Sequence, residues 1–483
     1  MLKKTLIAVA GWCWVMACSP APQQEKDTSL PNIIYILADD LGYGDLSCYG
    51  QTKFSTPNID RLAAEGMRFT QHYSGSTVCA PSRSALMTGL HTGHTPVRGN
   101  KEVQPEGQYP LADSVRTLAE VLQEAGYATG AFGKWGLGYP GSEGDPNFQG
   151  FDTFFGYNCQ RYGHTYYPRH LWSNQDSTVL EANAETAKGT YAPALIHERT
   201  LAFIEEHQNE PFFLYVPSII PHAELVAPEA YMERFRGKLL PEISFEGTDG
   251  GEGYRTGAYA SQPEGHAAFA AMVAVLDEQV GEIVAKVKEL GLQDNTLIIF
   301  TSDNGPHQEA GADPDYFNSN GPLRGYKRDL YEGGIRVPMI AHWPGHIVAG
   351  SETKHVSAFW DVFPTLAQLA GQPVVKEQDG ISFLPTLTGE GEQAQHEYLY
   401  WEFHERGGRL AVRKGHWKAV QYEVLTQPDG PLELYDLATD LGEQNNVAEQ
   451  HPEVVDEMKA ILRSARTPSP VFTFGQDTYL GAK

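Results

Sequence analysis

Basic residues are scarce in this chain: 36 Lys and Arg stand against 61 Asp and Glu, a formal net charge of −25. That balance argues against a nucleic-acid binder, a polybasic membrane-surface protein and nonspecific capture of polyanions. An anionic substrate would therefore need a local cationic pocket in an acidic protein. Internal repeats and low-complexity tracts are absent, which removes solenoid and fibrous architectures. No apolar run after the first eighteen residues is long enough to span a bilayer. What remains is 483 residues with 41% hydrophobic content, enough to bury a large core in two or more structural units.

The amino-terminal residues stand apart. Lys3 and Lys4 precede an apolar run from Leu6 to Val15, and Val15-Met16-Ala17-Cys18 follows. This resembles a bacterial lipoprotein signal ending in a lipobox. The resemblance implies removal of residues 1–17, lipidation of Cys18, and a periplasmic or cell-surface lipoprotein that meets the membrane through its lipid anchor only. A transmembrane anchor is the alternative, but the run falls short of the ~20 residues a span needs. Ser19 to Leu30, with Pro20, Pro22, Gln23, Gln24, Glu25 and Lys26, reads as a flexible tether, so residues 18–30 join the anchor to the folded part. Of the five cysteines, Cys13 lies in the signal; Cys48 and Cys159 are read as free thiols, a disulfide between them being the alternative.

From Pro31 onward helix and strand signals alternate, the mark of an α/β sheet. Asn32 to Ala38 is a continuous apolar run suited to a central parallel strand, and Asp39-Asp40 follow at its carboxyl end, where ligands gather in such sheets. Two adjacent carboxylates repel unless something cationic separates them; a bound metal accounts for the pair, and a solvated turn is the alternative. Thr56 to Gly66 reads as a helix, Met67 to Tyr73 as a strand, and Pro81 as the opening of a helix with Cys79 at its amino end. Unpaired N–H groups make that end a place for an anion, and Arg83 lies one turn on along the same face. Ser114 to Ala125 reads as a helix and Tyr127 to Gly133 as a strand delivering Lys134 to the same rim. Pro211 to Pro217 is another strand, with His222 just beyond it. A histidine there can protonate a leaving alkoxide near neutral pH. Thr296 to Ser302 ends in Asp303 and Asn304, two more oxygen donors, with His307 nearby as a substrate-binding candidate.

Asn158 to Pro168 is dense in aromatic and cationic groups. Arg161 and His164 are candidates for sugar recognition, while the tyrosines serve equally well as core. Glu246 to Gly265 reads as a mobile loop rimming the site, and His266 to Leu290 as a long amphipathic helix. From about Tyr398 short strands spaced by turns point to a small antiparallel sheet, closed by a helix from Pro452 to Ser464. His404 and Glu405 could line a pocket there; surface turn positions are the alternative.

Five separated blocks resemble the type I, formylglycine-dependent sulfatases: Asp39-Asp40; Cys79-Ala80-Pro81-Ser82-Arg83, which matches C-x-P-S-R; Gly133-Lys134-Trp135-Gly136-Leu137-Gly138; Pro221-His222; and Asp303-Asn304 with the Lys327 block. The resemblance runs from Ile33 to about Val447. It implies an alkaline-phosphatase-like α/β sandwich, with a large mixed, mostly parallel sheet flanked by helices and a small C-terminal antiparallel sheet subdomain. The expected division is residues 31–375 for catalysis and 376–483 for that subdomain. It further implies that a maturation enzyme oxidises Cys79 to formylglycine, whose hydrate attacks the sulfur of a sulfate ester. Asp39, Asp40, Asp303, Asn304 and residue 79 would hold Ca2+, with Mg2+ the lesser option. Arg83 would steady the hydrate, Lys134 and Lys327 would hold the sulfate, and His222 would act as general acid. A sulfated carbohydrate is the substrate expected. Gly136 stands where many members have histidine, so another group or water must handle the hydrate's hydroxyl proton, or turnover is impaired. The alternatives are a formylglycine-dependent phosphonate or phosphodiester hydrolase and a catalytically impaired lipoprotein that binds sulfated glycans.

Overall fold

The computed structural model describes residues 30–251, 253–373 and 378–474. The signal, the tether and Cys18 lie outside the described residues. An eleven-stranded mixed sheet forms the middle layer. Its centre is Asn32–Ala38, every residue of which is buried. Thr296–Ser302 lies parallel on one side of it and Phe212–Pro217 parallel on the other. Ala128–Lys134 and Thr153–Tyr157 continue the parallel run beyond Phe212–Pro217. On the other flank Arg336–His342 is antiparallel to Thr296–Ser302 and to Met67–Tyr73, so Met67–Tyr73 again points the same way as the centre.

The continuous apolar run of the central strand follows from this placement, because each face carries a helical layer. Ile34, Ile36 and Ala38 pack on the side of the Gly265–Glu289 and Ala192–Glu206 helices. Ile33, Tyr35 and Leu37 pack on the other side, against Leu86, Leu118, Leu122 and Phe363 from shorter helices. Each buried aliphatic side chain contributes about 1.5–3 kcal/mol. The strand therefore anchors both layers at once.

Several helices start differently from the sequence reading. Thr117 and Glu120 form a reciprocal capping box, which delays the Ser114–Ala125 helix to Leu118–Glu124. The helix after Met67–Tyr73 runs Cys79–Thr88, so Pro81 occupies its third position and Cys79 its first. Lys134 is the last residue of its strand rather than the first beyond it.

The second sheet is four-stranded and antiparallel: Leu399–Phe403, Arg409–Lys414, Trp417–Tyr422 and Glu433–Asp436. One face packs through Tyr400, Leu410 and Val412 on Met458 and Leu462 of the Pro452–Ser464 helix. The other face, with Trp401, Phe403 and Val420, packs on Tyr73, Val78 and Trp360 of the main body. Beyond residue 375, Phe383 and Leu387 pack into the main core, and Phe472 returns to it. Cys48 and Cys159 are free thiols. Among the described residues no helix is long and apolar enough to cross a membrane.

Two buried carboxylates bind the layers together. Glu332 pairs with Lys418 of the small sheet at 2.9 Å and Arg336 of the large one at 3.3 Å. Glu402 accepts from Arg98 at 3.0 Å and Arg466 at 2.8 Å, with His404 at 2.9 Å. Burial raises the Glu402 carboxyl pKa, but His404, Arg98 and Arg466 outweigh it and hold the group well below its ordinary 4.5. A depressed folded pKa lends stability that is complete above the unfolded value and fades as the pH falls. Glu402→Gln should therefore cost about 3 kcal/mol at pH 7, because Arg98 is left buried without a counter-charge. The expected reading is a lower unfolding midpoint for the variant, with the gap to wild type narrowing below pH 4.5.

Candidate active site

Because nine of the eleven strands of the large sheet point the same way, the carboxyl ends of its central strands meet along one rim. Ala38 pairs with Ser302, Leu37 with Pro217 and Lys134 with Tyr157. The segments that follow are stitched to one another. Asp39 N–H donates to Ile220 O at 3.0 Å and Asp303 N–H to Ala38 O at 3.0 Å. Lys327 N–H reaches Pro306 O at 2.8 Å, and Arg328 N–H reaches Thr77 O at 3.1 Å. Ser82 Oγ donates to Asp303 O at 2.6 Å, which fastens the Cys79 helix to the aspartate loop. Asp40 adopts a left-handed φ of 64°, turning its carboxylate back over the rim.

The result is a buried cluster of charge. Cys79 Sγ lies 3.3 Å from Asp39 Oδ1. Asp40 Oδ2 accepts from Lys327 Nζ at 2.7 Å and lies 3.4 Å from His222 Nε2. Its Oδ1 accepts from Asn304 Nδ2 at 2.7 Å. Arg83 grips Asp303 Oδ2 through Nε at 3.2 Å and a terminal nitrogen at 2.8 Å, and donates also to Lys134 O. Lys134 Nζ sits against Asp39 Oδ2.

Burial raises all three carboxyl pKa values, and their neighbours then separate them. Lys134, Arg83 and Lys327 bring Asp39 down to about 2, and Lys327 with His222 brings Asp40 below its ordinary range. Asp303 rises to about 7, from burial first and then the negative charge of Asp39. A divalent cation would relieve that repulsion. Asn304 Oδ1 is buried with no hydrogen-bond partner, an orphaned acceptor at the same place. Hard oxygen donors of this kind suit Ca2+ or Mg2+, and the residues present fit such an ion. Burial, Asp303 and Asp39 push the Cys79 thiol well above its ordinary pKa. As a free thiol it would be a poor nucleophile.

A cavity of about 600 Å³ opens above the cluster, reached by Cys79, Arg161, His164, His222 and Lys327 among the expected residues. Lys134 lies deeper: the Gly163 backbone covers its stem, with room for no β-carbon, since one would fall 2.6 Å from Lys134 Cδ. Two expectations are corrected. His307 does not border the cavity; its Nε2 faces Pro221 O at 3.1 Å and its Nδ1 Glu309 at 3.2 Å, placing it behind His222. His404 is turned away to Glu402 and stacks on Phe474 at 4.2 Å, whereas its neighbour Glu405 does reach the cavity. Asn100, Gln108, Gln160, Tyr259 and Arg328 border it too, none of them singled out from sequence. Gln160 and Arg328 adjoin candidates already chosen, so proximity was a usable signal. Gln108 and Asn100 come from a hairpin region with none.

Comparison with known proteins points to one family. The Sulfatase family model matches residues 31–372, and the model described as N-sulphoglucosamine sulphohydrolase, C-terminal, matches residues 325–467. The chain is 32% identical to the N-acetylgalactosamine-6-O-sulfatase of Bacteroides thetaiotaomicron, covering 96% of this chain and 99% of that one. It is 34% identical to human Arylsulfatase A over 92% of this chain and 89% of the relative. Among solved structures, Ps i-CgsB in complex with k-i-k-neocarrahexaose superposes with a TM-score of 0.75 at 27% identity, covering 94% and 95% of the two chains. A family match over most of the chain and relatives above 30% identity covered almost end to end agree with the sheet architecture, and the chain belongs to the sulfatase family.

Proposed function

We propose that this sulfatase removes a sulfate ester from a carbohydrate, with Cys79 converted to formylglycine and Ca2+ held by Asp39, Asp40, Asp303 and Asn304. The observation that carries the reading is the placement of Cys79, at a helix amino end and 3.3 Å from Asp39, beneath a polar cavity bordered by His164, His222, Lys327 and Arg328. Near-complete mutual coverage with a bacterial N-acetylgalactosamine-6-O-sulfatase supports a sugar as the alcohol portion.

Ca2+ at the aspartates would neutralise developing negative charge and lower the pKa of the hydroxyl beside it. Formylglycine would supply, as its hydrate, the hydroxyl that attacks sulfur. The chain's own residues do the rest. Arg83 fixes the Asp303 carboxylate and is a positioning residue, since its guanidinium is spent on Asp303 and the Lys134 carbonyl. Lys327 borders the cavity, where its ammonium meets the sulfuryl oxygens, and Lys134 adds positive charge from below. His222 Nε2 lies 3.0 Å from Lys327 Nζ, so the two form one proton-carrying unit for the departing sugar oxygen. The lipobox-like segment supports attachment at the periplasmic side or the cell surface, where exogenous sulfated glycans would be met.

Mass spectrometry of the Cys79 peptide from protein made with a formylglycine-generating enzyme should show the aldehyde form. That protein should release sulfate from at least one member of a panel of sulfated mono- and disaccharides, and Cys79→Ala from none. Converted enzyme that cleaves phosphonate esters or phosphodiesters but no sulfate ester would overturn the reading. Lys327→Ala should lower kcat by roughly 10²–10³-fold, the range seen when one charge-stabilising donor is removed. Chelation should lower the unfolding temperature, with Ca2+ restoring it more fully than Mg2+; Asp303→Asn should weaken that response. In the native host, fatty-acid labelling should be lost in Cys18→Ser.

A further inference from the structure

We infer that Gln160 is a catalytic residue standing in for the side chain that position 136 lacks: its carboxamide donates to the sulfuryl oxygens and accepts from the hydroxyl on residue 79. The inference rests on the sulfatase reading above and names the group that completes its site.

Three observations carry it. The first is a shared volume. Trp135 N–H donates to Tyr157 O at 2.8 Å and Gly136 N–H to Asn158 O at 2.9 Å, so the two segments run side by side past the ends of their strands. Gly136 has a φ of 78°, and a β-carbon built on it would fall 1.8 Å from Gln160 Nε2 and 2.9 Å from Gln160 Cδ. No side chain at 136 can coexist with Gln160 where it stands, and the left-handed backbone there favours glycine in any case. The second is an unmet hydrogen-bonding need. Gln160 is only 5% exposed, yet neither Nε2 nor Oε1 has a partner. Buried carboxamides are rarely left with both ends unbonded, so a ligand or ordered water is the missing partner. The third is position. Gln160 borders the same cavity as Cys79, His222 and Lys327, and Gln108 Oε1 holds its backbone N–H at 3.2 Å.

A carboxamide differs from an imidazole in one decisive way: it offers a donor and an acceptor together but does not change charge between pH 5 and 9. Gln160 can hold the hydrate's hydroxyl and an oxyanion in register, and it cannot act as a titrating base. Proton transfer at this end of the site must therefore be completed by another group.

The test compares formylglycine-bearing wild type with Gln160→Leu, which keeps the bulk and removes both hydrogen-bonding groups. Conversion at residue 79 is checked by mass spectrometry, turnover is read on the sulfated sugar that wild type cleaves, and affinity for inorganic sulfate is read from thermal stabilisation. The expected result is a fall in kcat of at least ~10-fold, together with weaker sulfate binding, at an unfolding temperature no lower than that of wild type. A second arm uses Gly136→His, expected to be less active than Gly136→His combined with Gln160→Gly, because only the double variant vacates the volume. Wild-type kcat and sulfate affinity in Gln160→Leu would reduce the residue to a space filler and overturn the inference while leaving the sulfatase reading intact. Full activity in Gly136→His alone would also overturn it. Converted wild type that is silent on every sulfate ester would instead sink the underlying reading, and the inference with it.

Discussion

Three carboxylates buried within reach of one another are the constraint around which the rest of this protein is arranged. Asp39, Asp40 and Asp303 lie fully inside the molecule, where like charges repel strongly and water cannot screen them. The chain answers with three buried cations. Arg83 grips Asp303, Lys134 meets Asp39, and Lys327 meets Asp40. Asp303 nevertheless stays perturbed, and Asn304 keeps an unused acceptor beside it. The same imbalance that burdens the resting fold is one that a divalent cation would relieve. Stability is spent here on a site held ready for charge.

Holding that cluster requires a rigid frame, and the parallel sheet supplies it. Register fixes the strand ends against each other, and short backbone bonds among the loops beyond them leave little freedom. The small antiparallel sheet contributes at a distance. Glu402 holds Arg98, and two residues further on Asn100 Oδ1 accepts from Ala80 N–H at 3.0 Å, at the start of the helix that presents Cys79. The second sheet thus braces the Cys79 helix while sending Glu405 into the cavity.

Much of the frame could be read from residue order alone, because it rests on local chemistry. The apolar runs of Asn32–Ala38 and Thr296–Ser302 are strands because both their faces are buried, and periodicity records that directly. Helix starts were less legible, since Thr117 caps through a side-chain bond that only local geometry reveals. Residues following strand ends were legible as rim residues, and Asp39, Asp40, Cys79, His222, Asp303, Asn304 and Lys327 do meet there. His307 and His404 were misplaced for the same reason: a histidine near a motif has two ring nitrogens and many possible partners. Glu309 and Glu402 lie only two residues away, but the sequence does not say that they, with the distant Pro221 O, will claim the rings.

By itself the sequence determined the family, the order of the elements and the residue types at the reacting centre, since each of these is written in runs and motifs a few residues long. Tertiary structure alone decided which of those groups face the cavity, that Lys134 is sealed beneath Gly163, and that Gln160 fills the space Gly136 leaves empty. The physical reason is that burial, charge pairing and shared volume depend on distances between segments far apart in the chain, and those distances exist only once the sheet has closed.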